Sequence, residues 1–128
     1  MNDEAPGEMP HGGVADAGAV LRVGGHVDRP SNPHSATIHR FLHHVRSAGF
    51  GGASEPVSID GERERVVFVP GDVPVPPYPA WSQSDTALAS IAQLLRELHD
   101  ASDGFDAADG TWSSELHDER PGARAVIC

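Results

Sequence analysis

Residues 35–71 read SATIHRFLHHVRSAGFGGASEPVSIDGERERVVFVPG, and this stretch decides the fold. The apolar residues of its first part recur at i, i+3, i+4 and i+7, the spacing of an amphipathic helix: Ile38, Phe41, Leu42 and Val45. Ser35 is a suitable N-cap, and Gly49 suits the left-handed position that follows a helix. The pattern therefore predicts a helix over residues 35–48.

The second part of the stretch predicts a β-hairpin. Two runs rich in strand-forming residues are joined by Asp60-Gly61, which is the strongest short hairpin signal. The second run extends to Val69 and contains three consecutive apolar residues, Val66-Val67-Phe68. A continuous apolar run of this kind favours a strand inside a sheet rather than at its edge.

The residues before this stretch predict a second hairpin. Residues 19–23 and 26–29 are strand-like and are separated by the turn pair Gly24-Gly25. Residues 1–10 are polar and acidic, with too few apolar groups to offset the entropy of ordering, and are predicted to be disordered. Residues 11–18, HGGVADAG, form a Gly-rich segment that is either a plain loop or a loop whose amides approach a phosphate.

The residues after the stretch predict a stiff connector and a second helix. Residues 70–81 hold five of the 11 prolines, so they favour neither a helix nor a central strand. Ser82 and Asp85 have the spacing of a capping box, and the helix is expected to stop near Gly104. Its apolar stripe is Leu88, Ile91, Leu94, Leu95 and Leu98. Two hairpins and two helices indicate an α+β fold.

The composition limits the classes of function. The chain has 128 residues, enough for one domain, and a net charge of −10 from 19 acidic and nine basic residues. Such a charge repels nucleic acid and anionic membranes, and no apolar run approaches the ~20 residues needed to span a bilayer. The single cysteine, Cys128, indicates a reducing compartment, so cytoplasmic localisation is expected. All nine basic residues are arginine, which excludes lysine Schiff-base chemistry.

Histidines of the first predicted helix form the one candidate metal site. His39 and His43 are four residues apart and share a helix face, a spacing that two metal ligands can use. No paired cysteine, HExxH glutamate or third ligand accompanies them. The favoured interpretation is that both residues are polar flanks of the apolar stripe, and no metal ligand is assigned.

The order of these elements resembles the small lobe of a kinase-like fold followed by its hinge. The segments RVGGHVDRP (22–30), residues 38–74 and LLRELHDAS (94–102) together look like the aminoglycoside phosphotransferase family. The resemblance implies a small lobe over 11–69, with an antiparallel sheet and one packed helix. It implies a hinge over 70–81 and the start of a large lobe over 82–128.

The resemblance implies a nucleotide-binding role for five residues and assigns ATP and Mg²⁺ as cofactors. Gly12 and Gly13 match the loop that covers the nucleotide, and Arg29 stands where such kinases place a phosphate-contacting lysine. Phe68 and Val69 match the hinge that meets the adenine edge. The family also pairs the lysine with a helix glutamate, but residues 35–48 contain no glutamate.

The resemblance also implies that the catalytic segment is missing. In relatives, the equivalent of AVIC (125–128) leads into a His-x-Asp loop with a following Asn and a later metal-binding Asp. The chain is therefore expected to be a truncated, inactive kinase fragment, with no catalytic residue assigned. A complementary large lobe or self-association is expected to cover the exposed apolar stripe of the second helix. The alternative is a non-catalytic α+β interaction module that docks a partner through residues 82–103.

Overall fold

The computed structural model describes residues 19–114 and 120–121. Two β-hairpins account for its four strands. The strands of the first hairpin are β1 (Leu21–Val23) and β2 (His26–Pro30), and those of the second are β3 (Pro56–Asp60) and β4 (Arg63–Val67). Both turns place a glycine in the left-handed region, Gly24 with φ 60° and Gly61 with φ 57°, as tight hairpin turns require.

The two hairpins join one antiparallel sheet of order β1-β2-β4-β3. Strand β2 pairs with β4, with Val27 opposite Val66 and Arg29 opposite Glu64. The predicted α+β class and the position of β4 inside the sheet are confirmed. Strand β4 ends at Val67, two residues earlier than predicted, although the N–H of Phe68 still bonds the carbonyl of Gly25 at 2.9 Å.

Helix α1 (Ser35–Ser47) lies at the predicted position, with one correction at its start. Ser35 is the first helical residue and not the N-cap, which is His34. The hydroxyl oxygen of Ser35 accepts the N–H of Asn32 instead, at 2.9 Å. The C-terminal prediction is confirmed, because Gly49 adopts φ 96° just beyond the helix.

Helix α2 (Asp85–Ala101) follows an irregular connector and a 3-10 turn over Ala80–Gln83. The predicted capping box is wrong, because Ser82 lies in that turn and its hydroxyl donates to the carbonyl of Pro79. Ser84 is the N-cap, and its hydroxyl oxygen accepts the N–H of Ala87 at 3.1 Å. The helix ends three residues before Gly104, close to the predicted stop.

The core is small and lies between α1, the C-terminal end of α2 and the loops after both helices. Its buried residues are Phe41, Val45, Phe50 and Ala101, with Ala53, Leu98, Phe105 and Trp112 packed at its border. Phe41 makes edge contacts with the rings of Phe105 and Trp112, at centroid distances of 5.2 and 6.4 Å. Three aromatic rings from two distant segments therefore close the core on one side.

The apolar stripe of α2 is largely uncovered within the described residues. Leu98 packs at the border of the core, whereas Leu88 is 67% exposed and Ile91, Leu94 and Leu95 are also exposed. Neither described helix is long and apolar enough to cross a membrane.

We expect Phe41→Ala to lower the free energy of unfolding by about 3–5 kcal/mol, because it removes a buried ring from a core with few other members. The matched control is Leu88→Ala on the exposed part of α2, where the change should stay within about 0.5 kcal/mol. Urea unfolding followed by circular dichroism measures both. Similar losses in the two variants would show that the core is not where the structure places it.

Candidate functional site

A buried carboxylate joins two strands and a helix. Glu64 on β4 is only 5% exposed, and each of its oxygens has a partner. Oε1 accepts the Nε–H of Arg29 from β2 at 2.6 Å, and Oε2 lies 3.0 Å from Nε2 of His39 on α1. The three residues form a chain of contacts from the helix through the carboxylate to the arginine.

Hydrogen bonding by the Ser35 side chain also lowers the pKa of the Glu64 carboxyl. The hydroxyl oxygen of Ser35 accepts the N–H of Asn32 at 2.9 Å. Ser35 and His39 are one helical turn apart and therefore face the sheet together. The first turn of α1 is thus docked on Glu64 through two side chains.

Glu64 is held in its ionised form. Burial alone would raise the pKa of Glu64, but the hydrogen bonds from Ser35 and Arg29 and the positive charge of Arg29 lower it further than burial raises it. The pKa of the Glu64 carboxyl therefore lies below its ordinary value of 4.5. At neutral pH the negative charge of Glu64 holds the guanidinium of Arg29 in place.

Arg29 is the partly exposed cation of the site. Its side chain is 41% exposed although its partner Glu64 is buried. Its described bond uses Nε, so the terminal nitrogens of the guanidinium extend beyond the carboxylate. A guanidinium whose Nε is bonded and whose terminal nitrogens are accessible is suited to bind an anionic group such as a phosphate.

Of the two hinge residues predicted from the resemblance, Phe68 lies on the same side of the sheet as Arg29. Every second side chain of a strand lies on the same face, so residues 64, 66 and 68 share one face. Phe68 lies about 13 Å from Glu64 along the strand direction. The Phe68 N–H is already bonded to Gly25, and Val69 is 61% exposed. The sequence alone does not show that the backbone N–H of Phe68 is already hydrogen-bonded.

Two other predicted site residues and the terminal segment cannot be placed. Gly12 and Gly13 lie outside the described residues, as do residues 1–10 and AVIC (125–128).

The two helix histidines have different environments. His39 is buried against Glu64, so its interpretation as a polar flank is wrong, whereas His43 is exposed. His39 therefore does not share an open surface with His43. Over residues 19–114 and 120–121, no three His, Cys, Asp or Glu side chains come together in a way that could hold a metal ion.

Glu64 is the member of this candidate site that the sequence pattern does not single out. The sequence places it between Arg63 and Arg65, where it reads as one member of an alternating charged strand. Strand alternation was the available signal, because Glu64 shares a face with the apolar Val66 and not with its two neighbours. That pattern locates the buried face, but only the pairing of β2 with β4 brings Arg29 to Glu64.

The opposite face of the sheet carries a second charged cluster, in which two arginines bond one aspartate. Asp28 accepts bonds from Arg65 at 2.8 Å and Arg63 at 3.4 Å. The hydrogen bond from Arg65 is the main reason that the pKa of Asp28 is lowered.

A shallow depression of about 540 Å³ beside Arg63 is lined by residues 30–33 and 61–63. Because Arg63 also bonds the carbonyl of Ala19, this depression offers no uncommitted cation.

No protein-family model, no curated protein and no solved structure matches this chain.

We expect Glu64→Gln to lower the free energy of unfolding by about 1.5–3 kcal/mol at pH 7, because it removes charge-assisted bonds from a buried site. The lowered pKa of Glu64 means that the ionised carboxylate stabilises the fold above pH 4.5. This contribution disappears as the pH falls through the folded-state pKa. The difference between the wild type and the variant should therefore shrink in acid.

Urea unfolding at a series of pH values measures this difference. Glu55→Gln is the matched control, because Glu55 forms an exposed pair with Arg46 and its loss should change the free energy by less than about 1 kcal/mol. A difference between wild type and Glu64→Gln that stays constant down to pH 3 (roughly one unit below the ordinary carboxyl range) would contradict the assignment.

Proposed function

We propose that this chain is the nucleotide-holding small lobe of an ATP-dependent kinase related to the aminoglycoside phosphotransferases. The observation that carries the proposal is the clamped arginine. Arg29 is fixed by the buried carboxylate of Glu64 and keeps 41% of its side chain exposed. Its position on the second strand of the first hairpin is where the resemblance places the phosphate-contacting cation.

The topology supports the same proposal. Small lobes of this kind consist of an antiparallel sheet with one helix inserted between two hairpins, followed by a hinge. Here α1 connects β2 to β3, and the irregular connector separates the sheet from α2. The shared order is compatible with a nucleotide lying on the α1 side of the sheet, between Arg29 and the connector.

Glu64 also replaces the helix glutamate that kinase-like small lobes use and that α1 lacks. A kinase-like lysine is paired by a helix glutamate, and α1 contains none. In this chain the carboxylate comes from β4, and α1 contacts it through His39 and Ser35. The helix can therefore still position the phosphate-contacting cation, although it does so through an intermediate strand residue.

The proposal assigns nucleotide binding and not phosphoryl transfer to the described residues. Transfer requires a positioned base and metal ligands, and no such set occurs within residues 19–114 and 120–121. Mg²⁺ would arrive with the nucleotide. The exposed stripe of α2 would be the surface on which a large lobe packs.

We expect MgATP to bind in the millimolar range, because the net charge of −10 opposes an anionic ligand. In a ¹H–¹⁵N NMR titration, the amide signals of Arg29, Val69 and their neighbours should shift. Arg29→Ala should weaken binding about tenfold or more through loss of a charge-assisted bond.

Arg46→Ala is the matched control, since it makes the same change in net charge at a surface pair outside the site. It should leave the affinity for MgATP within about twofold of the wild type. Unchanged binding in Arg29→Ala, or signal shifts confined to other surfaces, would refute the proposal.

A second candidate function is a non-catalytic interaction module that docks a protein through α2. Leu88, Ile91, Leu94 and Leu95 form a row of exposed large side chains on one helix face. A row of this kind is typical of a helix that packs against another helix. Two copies of a chain with a net charge of −10 repel each other, which favours a different, basic protein as the partner.

For this candidate, we expect a synthetic helical peptide with a leucine face and arginine flanks to bind the chain, as measured by fluorescence anisotropy. Ile91→Asp and Leu95→Asp should each abolish binding, because they bury an unpaired charge in the contact. Gln93→Asp adds the same charge on the opposite helix face and should leave binding intact. Equal loss in all three variants, or no binding to the wild type, would exclude α2 as the docking surface.

A further inference from the structure

A second arginine lies beside Arg29 on the α1 side of the sheet. Arg22 on β1 pairs directly with Val27 on β2, and directly paired residues share a face. Val27 and Arg29 are two residues apart on one strand and also share a face. The Cα atoms of the two arginines therefore flank Val27, with that of Arg29 about 7 Å further along the strand direction. The guanidinium of Arg22 leans toward Phe68 and that of Arg29 toward Glu64.

The position of Arg22 is held from two sides. Its Nε–H donates to the carbonyl of Gly24 at 3.2 Å, and its guanidinium carbon lies 4.0 Å from the centroid of the Phe68 ring. A cation above an aromatic face is electrostatically favourable, and the planar group stacks on the ring. Phe68 thus orients Arg22 and keeps its side chain over the sheet.

Arg22 and Arg29 share a pattern of bonding that the other paired arginines lack. Each makes its described hydrogen bond through Nε, to Gly24 and Glu64 respectively. The terminal nitrogens of four other described arginines already bond carboxylates or carbonyls: Arg40, Arg46, Arg63 and Arg65.

Arg22 is also without a carboxylate partner in the part of the chain that the structure describes. Its cation–π contact and its bond to a carbonyl leave the positive charge uncompensated. An anionic ligand would supply the counter-charge.

We propose that Arg22 and Arg29 together bind two phosphate groups of one polyphosphate chain, with Val27 beneath it. The inference rests on the proposed function and extends it, because Arg22 becomes a second phosphate-binding residue. Two guanidinium groups whose terminal nitrogens are open can each bind phosphate oxygens in a bidentate manner. A ligand with a single phosphate engages only one of them, so the site prefers linked phosphates.

Isothermal titration calorimetry at low salt, without Mg²⁺, tests this inference with tripolyphosphate and orthophosphate as probes. We expect tripolyphosphate to bind about tenfold or more tightly than orthophosphate. Arg22→Ala and Arg29→Ala should each lower the tripolyphosphate affinity by about tenfold, and Arg46→Ala should not. An unchanged tripolyphosphate affinity in Arg22→Ala would overturn the inference.

Arg22→Lys provides a second variant that keeps the charge. It loses both the planar stack on Phe68 and the bidentate geometry, so its affinity should fall between those of the wild type and Arg22→Ala. Circular dichroism and thermal unfolding establish that each variant is folded. An Arg22→Lys affinity equal to that of the wild type would show that charge alone acts, against an oriented binding group.

Parallel titrations with ATP separate this inference from the proposed function. If Arg29→Ala weakens ATP binding and Arg22→Ala changes neither ligand, the second phosphate contact is refuted and the kinase-like proposal stands. If tripolyphosphate binding depends on both arginines but ATP binds no more tightly than tripolyphosphate, the two-arginine site stands and nucleotide recognition fails.

Discussion

The carboxylate of Glu64 is the constraint on which the rest of the structure depends. It is buried, charged and bonded to groups from β2 and from α1. A buried charge is tolerated only when its hydrogen-bonding capacity is filled, so the positions of Arg29, His39 and Ser35 are determined together. The register between β2 and β4 and the docking of the first turn of α1 both satisfy this one group.

The placement of α1 also divides the sheet into a covered and an open half. The helix packs over the β4 and β3 side, where Val66 and Pro56 are buried. The β1 and β2 side keeps its side chains accessible on the same face, including Arg22 and Arg29, whose described hydrogen bonds use only Nε. A helix that covered the whole face would have buried Arg22 and Arg29 and removed the proposed binding surface.

Much of the fold could be predicted from periodicity and turn chemistry. The stripe at 38, 41, 42 and 45 and the glycine at 49 located α1, and the two glycine turns located both hairpins. The caps were predicted less well, because Ser35 and Ser82 each have a competing partner nearby that only the folded chain reveals. Local hydroxyl bonds of this kind depend on backbone angles that neighbouring residues set.

The candidate site was predicted only in part. The resemblance points to Arg29 as the cation and implies a partner on the helix, whereas its carboxylate partner Glu64 lies on a strand. The sequence does not distinguish Arg22, because a single arginine on a short strand has no characteristic spacing. The α2 stripe was expected to be exposed because the resemblance implies that the large lobe covering it is missing, and the described residues leave it largely uncovered.

The sequence by itself determined the elements, because helix and strand periods and glycine turns are properties of short segments. It also determined the absence of lysine and the acidic balance, and hence the chemistry that the chain lacks. Only the tertiary structure decided which charges meet. Arg29 and Glu64 are 35 residues apart in the chain, and their pairing depends on strand register, a property of the whole sheet.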